Sequence, residues 1–364
     1  YQDQSKKILL KKDIKTENYK SYISYEPLGL ILGIMPWNFP FWQVFRFAIP
    51  SLITGNGVIL KHASNVQGCA HAIEEIFLKS GCPESLFNNI IIPGSSVKKI
   101  IENKYISAVT LTGSTPVGKS VASIASNNLK KTVMELGGSD PYLILDDANL
   151  NQAADSCVSG RLINGGQSCI AAKRIIITKS NHLEFIKILK EKLLTKVMGD
   201  PIDEVDLGPM VSLEARDIIH SQVLKSINEG AKLILGGKLI NDKGAFYPIT
   251  ILDNVSPGMT AFDEEIFGPV FSITIATDEQ NGIDLANNTE FGLGASVFTA
   301  DIEKGEFIAS KKIFAGSCFV NDFVRSDPRL PFGGIKNSGY GRELSNCGLM
   351  EFVNIKTIVV NNIQ

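Results

Sequence analysis

The sequence is poor in several things that would each have named a function class. Its six cysteines (69, 82, 157, 169, 318 and 347) form no C-x-x-C and no Cys/His pairing at zinc spacing. That excludes a zinc module and fits reduced thiols in a cytoplasmic protein. Neither sign of charge is in excess: 36 Lys and Arg against 38 Asp and Glu leave a net charge of −2. Nucleic acid and anionic membrane are therefore not expected as partners, and a small metabolite is the default. Long apolar runs are missing too. The most hydrophobic stretch, LGLILGIMPWNFPFWQVFRFAIPSLITGNGVIL (28–60), is broken by Pro36, Asn38, Pro40, Gln43, Arg46 and Pro50, well short of the ~20 residues that a spanning helix needs. The chain begins with Tyr1 rather than Met and shows no signal peptide, so a processed, excised or partial chain is expected. No repeat or low-complexity tract is visible. The four histidines (62, 71, 182, 220) are scattered and read as surface or packing residues.

What is present is alternation. At 364 residues the chain exceeds the size at which single cores stop growing, so two domains are expected. GVILK (57–61), LFNNIII (86–92) and ISAVTLT (106–112) read as strands separated by amphipathic helices near 66–81 and 95–103. A second block follows, with YLILD (142–146), RIIIT (174–178) and VFSITIA (270–276) as strands and helices near 149–163, 181–196, 212–229 and 282–288. Strand and helix in alternation predict parallel sheets, an α/β fold in two units. The Gly-rich ELGGSDP (135–141) is the expected boundary. Residues 8–26 and IKTIVV (355–360) look strand-like but belong to neither block, which suggests an extended sheet flap.

Several motifs carry chemistry. GSTPVGKS (113–120) fits G-x-x-x-x-G-K-[ST], the phosphate loop of nucleoside triphosphatases, and YLILDD (142–147) resembles the strand that ends in a magnesium-binding Asp. A phosphate-loop NTPase is thus one reading. NGGQSCIAAKR (164–174) sets Cys169 behind a glycine turn, where a backbone N–H could face whatever the sulfur attacks. The other five cysteines read as small buried hydrophobes. Glu135 ends the apolar strand TVMEL, either as a solvated strand end or as a base in a cleft at the carboxyl edge of a sheet. Asn38, between the two prolines of PWNFP (36–40), either joins strand to helix or fixes an amide donor for an oxyanion. EEIFGP (264–269) reads as a loop. Arg46, in the apolar VFRFAIP, needs an internal acidic partner or a ligand carboxylate.

Taken together, PWNFP, ILK (59–61), LTGS (111–114), MELGG (134–138), GQSC (166–169), EEIFGP and PFGGIKNSGYGRE (331–343) stand in the order and approximate spacing of the aldehyde dehydrogenase superfamily. The resemblance runs from about residue 22 to the end. KHASNVQGCA, GQSCIAAKR and GRELSNCGLMEFVNIKTI are most similar to the short succinate-semialdehyde dehydrogenase branch. It implies a Rossmann-like cofactor domain, an α/β catalytic domain and a small β oligomerisation flap, with an N-terminal part of the family pattern absent before Tyr1. The implied limits are a partial flap at 1–26, an incomplete NAD(P)-binding domain at 27–136, a catalytic domain at 137–335 and a C-terminal return and oligomerisation strand at 336–364. It implies homo-oligomers, dimers or tetramers, when the missing segment is present.

The same resemblance implies oxidation of an aldehyde, succinate semialdehyde or a similar short acidic one, with NAD+ or NADP+ and no metal; the alternatives are the phosphate-loop NTPase and a non-catalytic scaffold made from a truncated dehydrogenase. Cys169 would attack the aldehyde, Asn38 and the Cys169 N–H would hold the oxyanion, and Glu135 would activate water. Pro36, Trp37, Lys61, Ser64, Gly113, Ser114, Glu265 and Phe267 would bind the cofactor. Lys119 then becomes an ordinary helix residue. Ser64, where NAD-preferring members often carry Glu, removes a repulsion toward a 2′-phosphate, so NADP+ is expected to be accepted. Arg46 and Ser326 would hold the distal carboxylate of the substrate. Some relatives add an arginine six residues before the nucleophile; this chain has Ile163 there, and Arg161 is the candidate substitute.

Overall fold

The protein is described here by a computed structural model covering residues 1–240 and 244–362. The chain divides into two units, one of Tyr1–Leu136, Ser326–Gly333 and Gly339–Gln364, the other of Gly137–Arg325 and Gly334–Ser338.

In the first unit, short β-branched and leucine-rich runs pair into a six-stranded sheet. Its spatial order is Gly339–Tyr340, Lys131–Glu135, Ile106–Thr112, Leu30–Met35, Gly57–His62 and Phe87–Asn89. All neighbours are parallel except the first pair. The chain builds outward from Leu30–Met35 to Phe87–Asn89, then returns to build the other way from Ile106–Thr112. That reversal makes a switch point at the carboxyl ends of Leu30–Met35 and Ile106–Thr112, where parallel sheets bind ligands. Leu32, Val109, Leu111 and Met134 fill one face, against the helix Thr115–Asn127. Val44, Phe47, Val58 and Leu60 fill the other. Each such burial contributes roughly 1.5–3 kcal/mol.

A separate three-stranded sheet joins Lys12–Asp13, Lys20–Pro27 and Val353–Val360. The last two are antiparallel from Val353 opposite Pro27 to Val360 opposite Lys20. The strand expected to begin near residue 8 starts later, because Gln2–Ile8 is a helix.

The second unit holds a seven-stranded sheet in the order Lys232–Leu235, Thr250–Asp253, Val270–Ala276, Ala172–Thr178, Asp140–Ile144, Gly294–Phe298 and Ser317–Val320. Only the first pair is antiparallel. The sequence reading misses four of these strands, Lys232–Leu235, Thr250–Asp253, Gly294–Phe298 and Ser317–Val320. They are four or five residues long, and the two central ones are buried on both faces, which erases the period-two signal.

Candidate active site

The loop 36–41 leaves the strand Leu30–Met35 at the switch point and enters the helix Trp42–Ile53. Gly33 lets the two pack closely: a Cβ there would lie 2.1 Å from Cζ of Phe47. Pro36, Trp37 and Asn38 are half-buried on this loop. Its far end is tied down by His62, which is wholly buried. His62 Nε2 lies 3.0 Å from the Pro40 carbonyl, and Nδ1 lies 3.2 Å from the Met35 carbonyl and 3.0 Å from the Ala63 nitrogen. His62 is therefore more than a packing residue. It pins the Asn38 loop to the strand that carries Lys61.

Burial is the main cause that lowers the His62 pKa. The folded state thus prefers the neutral ring, and its contribution to stability is fully present above the unfolded value of about 6.5. It is lost as pH falls below that and through the lower folded value. Melting temperatures measured between pH 7.5 and 5 are expected to fall more steeply for the parent chain than for His62→Gln; parallel curves would deny His62 this role.

On the other side of the switch point, Gly113 donates its N–H to the Glu135 carbonyl at 3.0 Å, and Ser114 stands at the N-cap position of the helix Thr115–Asn127. This corrects the phosphate-loop reading. The helix starts at Thr115, so Gly118 and Lys119 lie within it rather than at the end of a loop. Gly118 faces Leu136, and Lys119 points into solvent. YLILDD belongs to the other unit's sheet, and there Asp147 accepts from the Thr299 hydroxyl at 2.8 Å. Lys61, the last residue but one of the neighbouring strand Gly57–His62, is half-buried, with its pKa lowered by desolvation. Ser64 is exposed at the start of the turn Ser64–Val66.

Glu135 is the largest departure from a solvated strand end. It is 2% exposed, and neither carboxyl oxygen meets a hydrogen-bond donor among the described residues. Close packing needs Gly333, where a Cβ would lie 2.6 Å from Oε1 of Glu135. Burial first, and then the like charge of Glu343, hold its pKa well above the carboxylate range, against the pull of Arg46 and Arg342. Glu343 is itself buried and ion-paired with Arg46. Arg46 also stacks over Phe332, 4.4 Å from the ring centroid. Of the two partners that the sequence leaves open for Arg46, the structure shows the internal one. One helical turn earlier on the same helix, Trp42 Nε1 donates to the Ser326 hydroxyl at 3.1 Å.

In the second unit the helix Leu150–Leu162 runs into Asn164, Gly165 and Gly166, all with left-handed backbone (φ 50°, 63° and 77°). Gly166 has no alternative: a Cβ would lie 2.3 Å from the Gly268 carbonyl oxygen. The turn delivers Cys169 half-buried just ahead of the strand Ala172–Thr178. Of the other five cysteines only Cys157 is buried; Cys69, Cys82 and Cys318 are intermediate and Cys347 is exposed. Reading all five as buried hydrophobes is corrected accordingly.

Three motifs distant in sequence meet around Cys169. Gly138 donates its N–H to Glu265 at 3.2 Å, and Lys173 donates to the carbonyls of Ser168 at 2.8 Å and Cys169 at 2.6 Å. Lys173 also pairs with Glu265 at 3.1 Å. Phe267 is half-buried two residues beyond Glu265. Arg161 is wholly buried and donates to the Ile266 carbonyl at 2.7 Å. Burial pushes its pKa down to about 9. It anchors the EEIFGP turn from within the core and is no substitute clamp at the surface. Sequence reasoning missed His62, Lys173 and Glu343. Each lay inside a motif already singled out, yet its partner stands on another segment.

Residues 1–358 match the aldehyde dehydrogenase family, and the chain belongs to it. Among its relatives are the NAD(P)+ succinate semialdehyde dehydrogenase Sad of Escherichia coli and the NADP+ succinate-semialdehyde dehydrogenase of Mycobacterium avium. The first is 47% identical over 343 residues, covering 94% of this chain and 74% of that one. The second is 44% identical over 345 residues, covering 94% and 73%. A solved structure of succinic semialdehyde dehydrogenase from Streptococcus pyogenes, in complex with NADP+, aligns with a TM-score of 0.96 at 37% identity, over 99% of this chain and 79% of that one. Among the described residues no helix is long and apolar enough to cross a membrane.

Proposed function

We propose that the protein oxidises succinate semialdehyde, or a similar short acidic aldehyde, to the carboxylic acid with NADP+ or NAD+. The observation that carries this reading is Glu135, a buried carboxyl group without a donor on either oxygen, which has no structural task and suits a base. The residues present also fit a dinucleotide. The switch-point crevice, the N–H groups at the start of Thr115–Asn127 beside Gly113 and Ser114, and the half-buried cation of Lys61 together suit a pyrophosphate and an adenosine ribose. Pro36 and Trp37 are proposed to line the same crevice. Glu265 is proposed to hold the nicotinamide ribose, with Phe267 packing near it.

In this mechanism the Cys169 thiolate attacks the aldehyde carbon, and the oxyanion is held by the Asn38 amide and the Cys169 N–H. The nicotinamide ring supplies the hydride acceptor. Loss of hydride from the thiohemiacetal leaves a thioester on Cys169. Glu135 takes a proton from water, hydroxide character adds to the thioester carbon, and the thiolate departs from the acid. Glu343, paired with Arg46 in the same buried region, opposes the ionisation of Glu135 by like charge, which keeps that carboxyl a stronger base than an ordinary glutamate.

For the substrate's distal carboxylate, Ser326 is the proposed direct donor. Arg46, committed to Glu343, contributes the field of a buried cation. Removing Arg46 would strand a buried carboxylate at a cost of about 3–5 kcal/mol, so selectivity is best read on the intact chain. The proposed homo-oligomer is supported by the strand Val353–Val360, which exposes Ile355, Val359 and Val360.

The test is reduction of NADP+ and NAD+ by the purified chain with succinate semialdehyde and with butanal. The expected result is turnover with both cofactors and a KM for succinate semialdehyde lower by about tenfold or more, as one charge-assisted hydrogen bond would give. Ser64→Glu is expected to lose NADP+ selectively. Equal KM values for the two aldehydes would remove the acidic-substrate reading, and no reduction with any aldehyde would remove the function.

A further inference from the structure

We infer that Lys173 is a positioning residue for the nucleophile, holding the Cys169 turn in place and supplying the positive charge that favours its thiolate form. This rests on the reading of Cys169 as nucleophile.

Cys169 stands at the amino end of the strand Ala172–Thr178. In a parallel α/β unit, helices run against the strands, so the amino edge of the sheet gathers helix C-termini and their partial negative charge. The neighbouring Arg174 is used to answer that charge. It donates at 2.9 Å to the carbonyls of Leu285 and Ala286, in the last turn of the helix Glu279–Asn287, and at 3.0 Å to that of Ser139. A bare thiolate would be disfavoured at such an edge.

Lys173 is aimed differently. Its side chain, 2% exposed, turns back on its own chain toward two consecutive carbonyls, those of Ser168 and Cys169. The second carbonyl is fixed from another side as well, since a Cβ on Gly138 would lie 2.7 Å from it. The third direction of the ammonium is taken by Glu265, which also accepts the Gly138 N–H. The ring of Phe267 lies 5.8 Å away. Buried Asp140 is the other acid near Lys173, and its pKa is raised to about 7, chiefly by burial. The lysine therefore links the nucleophile's own peptide, the Gly-Gly turn and the EEIFGP turn through one buried charge. A cation beside a cysteine lowers the energy of the thiolate.

The experiment is the pH dependence of Cys169 alkylation by iodoacetamide, read on the Cys169 peptide by mass spectrometry, with the full chain and no cofactor. In the parent chain Cys169 is expected to alkylate with a midpoint below that of an ordinary thiol. In Lys173→Met the midpoint is expected to rise by about one unit or more, a tenfold slower reaction at neutral pH, and Lys173→Arg is expected to restore most of it. An unchanged midpoint in a folded Lys173→Met chain would overturn the inference. If Lys173→Met fails to fold, Glu265→Gln, at a partly exposed position, takes its place. Removing the counter-charge of Lys173 should lower the midpoint, and a midpoint that stays or rises would overturn the inference equally. A parent Cys169 no more reactive than a free thiol would instead defeat the nucleophile reading itself.

Discussion

Replacing Cys169 with alanine is expected to lower aldehyde-dependent NAD(P)H formation by about four orders of magnitude or more, while Lys119→Ala leaves most of it intact. The contrast follows from where the two side chains stand. Cys169 is delivered by a left-handed glycine turn that no other residue type could make at Gly166, because the Gly268 carbonyl occupies the space of a side chain. A turn this constrained has one product, a half-buried sulfur at the end of the sheet. Lys119 is exposed in the body of a helix that has already begun four residues earlier, so it cannot reach a ligand at that helix's N-terminus. The rates are read at saturating cofactor and aldehyde, with circular dichroism to confirm that both variants fold. Substantial turnover without Cys169, or its loss without Lys119, would overturn the assignment.

Glu135→Gln is expected to separate the two halves of the reaction. Thioester formation needs no base at Glu135, so mixing with aldehyde and NAD(P)+ should release about one NAD(P)H per site. Steady turnover should then fall by about 10²–10⁴-fold, the usual contribution of a positioned general base. The pH profile carries the same information. With its pKa raised chiefly by burial and then by Glu343, Glu135 is protonated over a wider range than an ordinary carboxyl group. Hydrolysis in the parent chain should accelerate as pH rises through that raised value, because only the ionised form accepts the proton. The glutamine variant should lose that dependence. A variant with no burst would place Glu135 before the thioester, and one with full steady turnover would free it from catalysis.

How much of this was legible in the sequence varies with the kind of residue. Strands such as ISAVTLT and VFSITIA could be read to within a residue because they run for seven residues and are rich in apolar and β-branched side chains, and the helices between them keep their period. Thr250–Asp253 and Gly294–Phe298 could not, being short and buried on both faces. Among site residues, motif position indicated Cys169, Asn38 and Glu135 as candidates, but not their surroundings. The burial of Glu135 depends on Gly333, and the state of Arg46 on Glu343, hundreds of residues away. The role of His62 is hidden in the sequence for the same reason. A histidine beside a lysine reads as surface until the Pro40 carbonyl, 22 residues earlier, is brought to its ring.

The two sheets present opposite edges to their candidate residues, and the opposition bears on how each can change. In the first unit those residues gather at carboxyl ends, where the pull on an anion comes from backbone N–H groups at the start of Thr115–Asn127. Substitutions other than to proline leave those main-chain dipoles in place, so the affinity proposed for them would resist most mutations. In the second unit Cys169 sits at an amino end, where the backbone opposes negative charge and side chains such as Lys173 must supply what favours it. One base substitution is enough to alter such a side chain. Over evolutionary time, the reactivity of the sulfur should therefore drift and adapt more readily than the grip on the dinucleotide.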